Sequence, residues 1–159
     1  MKKKLTLLLA LLCGALPAMA EEAREAGARL TMTVAGMEYA ITLEDNAAAR
    51  SLLAQLPLTL TFEDFNGTEK IAYPPEGLDI ADAPTRCDPV VGTLAYYVPW
   101  GNLCIFYRDF RASENLVPLG QVEGDFEALS VLADGFDAYL EAAAADSAAQ
   151  MPSPMPPHS

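Results

Sequence analysis

The sequence predicts a mainly β fold closed on itself, a barrel or a closed sandwich. Three observations predict it. Apolar residues alternate with polar ones at period two through most of the stretch from Leu30 to Leu140. Turn residues recur at short intervals, at Gly36, at Asn66-Gly67 and at Pro99 to Asn102. Only two short stretches, near residues 46–56 and 126–132, change to helical spacing.

Leu30, Met32 and Val34 alternate with Thr31 and Thr33, which gives a strand with one buried face. Gly36-Met37 is expected to turn the chain, and Glu38 to Leu43 returns as the second strand of a hairpin. From Asn46 to Leu56, the residues Ala49, Leu52, Leu53 and Leu56 share one helical face, with Asp45 as the expected N-cap and Pro57 as the stop. Leu58, Leu60 and Phe62 then alternate with Thr59, Thr61 and Glu63, and Asn66-Gly67 sets a tight turn into Glu69 to Tyr73.

Residues 74–89 contain Pro74, Pro75, Gly77, Pro84 and Pro89 and form a long irregular loop. Loops of that length in compact domains are more often functional than connective, so this is a first candidate site. Val91 to Val98 and Leu103 to Phe110 are rich in Tyr, Val, Ile and Phe, and Pro99-Trp100-Gly101-Asn102 joins them as the central hairpin. Val117 to Val122 adds a strand. Asp125 caps a short helix over Phe126, Leu129 and Leu132, Gly135 ends it, and Phe136 to Leu140 is the last strand. Seven or eight short strands favour closure, because closure removes unpaired edges.

The ends of the chain read differently from the body. Lys2 to Lys4 precede the apolar stretch Leu5 to Leu16, and Ala18-Met19-Ala20 supplies small residues at a signal-peptidase site, so residues 1–20 are expected to be a signal peptide cleaved before Glu21. The apolar stretch is about a dozen residues, short of the roughly 20 that span a bilayer. Cys13 raises a lipoprotein alternative, which the bulky Leu12 before it disfavours. Residues 21–28 form a polar leader, residues 29–141 the β-barrel domain, and residues 142–159 a disordered Ala- and Pro-rich tail. The expected location is periplasmic or extracellular, with no stable membrane insertion after cleavage.

The net charge is −12, and loss of the three leading lysines leaves seven basic residues against 22 acidic ones, or −15. Such a field repels phosphate, so nucleic acid and anionic membrane surfaces are poor partners. The acidity is spread without long runs and reads mainly as a solvated surface. Cys87 and Cys104 would both survive processing, and a bridge across the 16 residues between them would add about 3 kcal/mol. Cys104, however, sits in the apolar run Leu103 to Phe106, where cysteine behaves as a small buried hydrophobe.

Four segments carry a resemblance. Leu56 to Phe62, Phe65 to Lys70, Asp88 to Leu103 and Phe106 to Phe110 resemble, in order, the small bacterial cyclophilin-like proteins, and the Pro-Trp-Gly-Asn-Leu stretch is the most specific piece. The resemblance covers most of residues 29–141. It implies a closed eight-stranded cyclophilin-like β-barrel with two short helices plugging its ends, and it implies little about activity. Prolyl-isomerising cyclophilins carry a Gln-Gly-Gly-Asp stretch and a groove histidine. This chain has no such stretch, its single histidine is His158 in the tail, and no catalytic residue carries over.

The body holds no histidine for a Ser-His-Asp, Cys-His or imidazole–zinc arrangement, and no Cys-x-x-Cys or phosphate-cradling glycine motif. No cofactor and no metal site are expected. Glu44-Asp45 and Glu63-Asp64 read as turn and cap residues. Arg108 is the most informative charge: it follows the Cys104 to Tyr107 run and is expected near Trp100, presenting a guanidinium beside aromatic rings, or else as a surface arginine paired with Asp109 or another acid. Trp100 and Tyr97 read as a stacking platform or as hairpin packing, and Tyr73 as a groove wall or a strand end. Two functions stay open: a noncatalytic module gripping a peptide or small-molecule ligand between the central hairpin and the 74–89 loop, and a weak prolyl isomerase working through Arg108.

Overall fold

The computed structural model describes residues 27–144. The expected signal peptide and the expected tail beyond residue 144 lie outside the described residues. Eight strands, β1 (Arg29–Val34), β2 (Met37–Leu43), β3 (Leu58–Phe65), β4 (Glu69–Ala72), β5 (Thr93–Tyr97), β6 (Asn102–Phe106), β7 (Leu116–Glu123) and β8 (Phe136–Ala142), close into a barrel in the order β1-β2-β7-β5-β6-β4-β3-β8. Every neighbouring pair is antiparallel. Two helices complete it, α1 (Ala47–Gln55) and α2 (Phe126–Ser130). No helix among the described residues is long and apolar enough to cross a membrane.

The period-two pattern fills the interior. Leu30, Met32, Val34, Tyr39, Ile41, Leu60, Phe62, Val117 and Leu140 join one cluster inside the barrel. Strand β7 carries one extra residue opposite Leu94 and Ala95, which shifts the alternation so that Leu119 and Val122, three residues apart, both face the interior. Just past this bulge, a Cβ on Gly120 would lie 2.3 Å from the Thr42 carbonyl oxygen, so only glycine lets β2 and β7 approach here.

The helices close opposite ends. Helix α1 follows the C-terminal end of β2, where Leu43 pairs with Gly120; α2 follows β7, which runs antiparallel to β2 away from that end and leaves it at Glu123, paired with Ala40. The N-cap of α1 is Asn46, not Asp45. Its Oδ1 accepts from Ala49 N at 2.9 Å while its Nδ2 donates to Pro118 O at 2.8 Å, and a carboxylate cannot make the second bond. Asp45 is exposed and pairs with Arg50. Asp125 caps α2 as expected, accepting from Ala128 N.

Lys70 plugs the α2 end. It is 1% exposed, points inward beside Ile105, donates to Leu132 O at 3.0 Å and pairs with Asp64 at 3.1 Å. Asp64 also accepts from Tyr107 Oη at 2.6 Å. Burial raises the Asp64 pKa, but the bonds from Tyr107, Lys70 and Gly67 outweigh it and leave it below the ordinary carboxylate value.

Several boundaries differ from expectation, three of them by more than a frayed end. The first hairpin turns at Ala35-Gly36, both at positive φ, and Met37 already belongs to β2. Strand β5 begins at Thr93 because Gly92, at φ 93, bends the chain before it. Strand β6 stops at Phe106, after which the chain turns outward and Phe110 N donates to Pro89 O at 3.0 Å. Phe62 is fully buried and stacks on Phe136 at 5.5 Å. Phe62→Ala is therefore expected to lower unfolding free energy by about 3–5 kcal/mol, read from urea denaturation midpoints.

Candidate functional site

Most barrel strands bury one face, but β4, β5 and β6 bury both. Leu103 and Ile105 of β6 point into the barrel, while Asn102, Cys104 and Phe106 point out. The outward face carries a second cluster, in which Ile71, Ala95, Cys104, Phe106 and Leu116 meet Cys87, Tyr97 and Phe110. Two segments cover it. The chain around Cys87 and the chain around Ser113 exchange backbone hydrogen bonds of 3.0 and 2.9 Å, and Asp109 Oδ1 accepts from Val91 N at 2.9 Å.

The cover is incomplete, and the gap is a groove of about 470 Å³. Its floor is Asn102, Cys104 and Phe106 of β6 with Glu69 of β4, whose register partner is Phe106. One wall is aromatic: Trp100 meets Phe65 at 5.4 Å and Tyr97 at 5.5 Å, both edge-on. The other wall runs from Phe110 to Ser113, with Phe110 stacked on Phe106 at 6.3 Å and the Arg111 guanidinium 4.9 Å from the Phe110 ring centre.

Three polar groups on the floor define what it can do. Asn102 is 0% exposed, and among the described residues its Nδ2 has no hydrogen-bond partner and its Oδ1 meets only the Cys104 thiol, at 3.6 Å. A buried amide in that state costs about 1–3 kcal/mol. Glu69 is half-buried, and burial, reinforced by the charge of Asp64, pushes its pKa up to about 7. Burial likewise pushes the Cys104 thiol well above the usual cysteine value, with the Glu69 charge adding to it, so this sulfur is not a poised nucleophile. Cys87 and Cys104 are both free. No cluster of three or more His, Cys, Asp or Glu side chains able to hold a metal occurs among the described residues.

The structure brings together two of the four residues singled out from sequence. Trp100, 51% exposed, and Tyr97 line the groove. Arg108 does not. It is exposed, and its guanidinium lies 5.9 Å from the Tyr107 ring centre, because the chain has already left the sheet at Phe106. The carboxylate of Asp109 is turned to Val91 N instead of to Arg108. Tyr73, 56% exposed, is likewise outside the groove.

The irregular loop is not a groove wall either. Its first half packs on α1: Gln55 exchanges two hydrogen bonds with Glu76, and Leu78 enters the barrel cluster. Its second half supports the wall from behind through Cys87. Sequence reading missed Glu69, Asn102, Phe65, Phe110 and Arg111. The available signal was the unbroken apolar run from Leu103 to Tyr107, which requires a cover on both faces of β6.

The model of the Cyclophilin-like family matches residues 32–141, nearly the whole barrel and both helices. The chain belongs to the cyclophilin-like family. A solution structure of a hypothetical protein from Archaeoglobus fulgidus shares this cyclophilin-like fold, with a TM-score of 0.57 and 20% identity over 74% of this chain and 96% of that one. At that identity the likeness concerns the fold alone. No curated protein matches the chain.

The raised pKa of Glu69 fixes the sign of a pH effect on this cyclophilin-like domain. Its folded value, about 7, lies above the ordinary glutamate value, so the folded state holds a proton that the unfolded chain has released. The stability this gives is present in acid and is lost as pH rises to about 7. Glu69→Gln is expected to raise the melting temperature more at about pH 8 than at about pH 5, and an equal effect at both would contradict the assignment. Cys104 is expected to resist alkylation until the chain is denatured, read by mass spectrometry of native and unfolded protein.

Proposed function

We propose that this chain is an exported, noncatalytic binding module that holds a peptide or small ligand in the groove on the outer face of its barrel. The observation that carries the reading is the Asn102 amide, fully buried on the groove floor and without a partner for its Nδ2. A ligand oxygen placed there would recover a hydrogen bond that the protein alone leaves unmade. The aromatic wall supplies the apolar contact area that small-ligand sites use, and the groove's size is within the usual range of about 300–1,000 Å³.

The noncatalytic part rests on the chemistry of the floor. The thiol is held protonated by burial, and no described residue is a histidine that could activate it. An isomerase of the Arg108 kind would need that guanidinium at the groove, and it lies elsewhere. Export rests on the lysines, apolar stretch and Ala-Met-Ala site of residues 1–20.

Trp100 is the only tryptophan of the chain and lines the groove, so its emission reports occupancy. Titration with a library of short peptides and small metabolites is expected to give a saturable emission change that Asn102→Ala weakens by about tenfold. Complete absence of any saturable ligand would overturn the reading. A proline-peptide isomerisation assay is expected to show no rate above background; turnover that falls in Arg108→Ala or Arg111→Ala would replace the binding module with an enzyme. The protein recovered from the cell envelope is expected to begin at Glu21.

A further inference from the structure

We propose that the ligand of this groove carries an alkylammonium group, seated against the Phe65 and Trp100 rings with Glu69, the register partner of Phe65, as its counter-ion. The inference deepens the binding reading above and rests on it.

Glu69 is a carboxylate in search of a cation. None of the ion pairs among the described residues includes it. Its sequence neighbour Lys70 points to the opposite side of the sheet, into the barrel, where it pairs with Asp64. Arg111 stands on the far wall, exposed and laid against the Phe110 ring. The groove therefore offers a negative charge on its floor and five aromatic rings, Phe65, Tyr97, Trp100, Phe106 and Phe110, around it. Ring faces attract cations most strongly where water is excluded, and a carboxylate beside them adds direct Coulomb attraction.

Ligands of the opposite sign fit poorly. An anion reaching Arg111 would have to enter a domain of net charge −12 and settle beside Glu69 and Asp64. Asn102 adds a second requirement. It lies four residues along β6 from Phe106, the register partner of Glu69, which is about 13 Å at about 3.3 Å per residue. A ligand that satisfies both is extended, with its ammonium at one end and a carbonyl oxygen toward the other, as in a lysine side chain and the peptide that bears it.

The groups facing Glu69 set the pH behaviour. Burial and, after it, the charge of Asp64 on β3 raise its pKa, Cys104 on β6 and Tyr107 beyond it are protonated neighbours, Lys70 is turned away, and Arg111 lines the same groove against the Phe110 ring. With a value of about 7 in the free protein, Glu69 ionises between about pH 6 and about pH 8, while the ligand's ammonium stays charged throughout. Cation binding therefore strengthens over that interval by up to about tenfold.

The test uses the full chain and Trp100 emission with three probes: acetylated and amidated Ala-Lys-Ala, the same tripeptide with norleucine in place of lysine, and n-butylamine. The lysine peptide is expected to bind about tenfold more tightly than the norleucine peptide at about pH 8, with the preference reduced at about pH 6 and abolished in Glu69→Gln. Comparable binding of n-butylamine identifies a free amine as the source of the ammonium, and binding of the peptide alone identifies a lysine in a chain; either supports the proposal. Should Glu69→Gln fail to fold, the pH dependence of the unaltered protein decides. Equal binding of the lysine and norleucine peptides overturns the ammonium inference and leaves the groove reading standing. Binding of neither amine probe also overturns it, and the groove reading is then decided by its own library titration.

Discussion

The structure depends on one constraint: the three strands β4, β5 and β6 are buried on both faces, and a barrel interior alone covers only one. The inner face is satisfied by the common core that all eight strands and Leu129 of α2 share. The outer face needs a second cover, and the segments around Cys87 and Phe110 provide it. That cover stops short of Glu69, and Asn102 lies buried beneath the groove's edge. The groove is the place where the two-sided burial is left unfinished.

Much of the barrel was legible in the sequence because period-two alternation acts locally. Leu30 to Val34, Leu58 to Phe62 and the Asn66-Gly67 turn each state their geometry within a few residues. The closed eight-stranded arrangement came from the likeness of four segments to a family, since alternation does not say which strands are neighbours. The helix cap was misplaced by one residue because Asp and Asn are equally good acceptors. What decided for Asn46 was a carbonyl at Pro118, 72 residues away.

The site was less legible, for a physical reason. Trp100 and Tyr97 belong to a hairpin whose two halves are adjacent in sequence, so their meeting is visible locally. Glu69, Asn102 and Arg111 meet only when β4 pairs with β6 and the chain beyond Phe106 turns back over the sheet. Arg108 illustrates the converse: counting onward along β6 places it beside the aromatic residues, yet the strand ends two residues earlier. The same ending puts Phe110 and Arg111 on the groove wall instead.

The far wall of the groove, residues 110–113, is not part of any strand of the barrel. It is fastened by backbone hydrogen bonds at Ser113 and at Phe110, which depend little on which side chains the segment carries. Cys87 and Cys104 are both free, so no disulfide among the described residues ties it down. Architecture and groove lining are thereby uncoupled in this molecule. Selection, or a designer, can rewrite Arg111 and Ala112 and so reshape the wall while the cylinder beneath keeps its registration and its lysine plug.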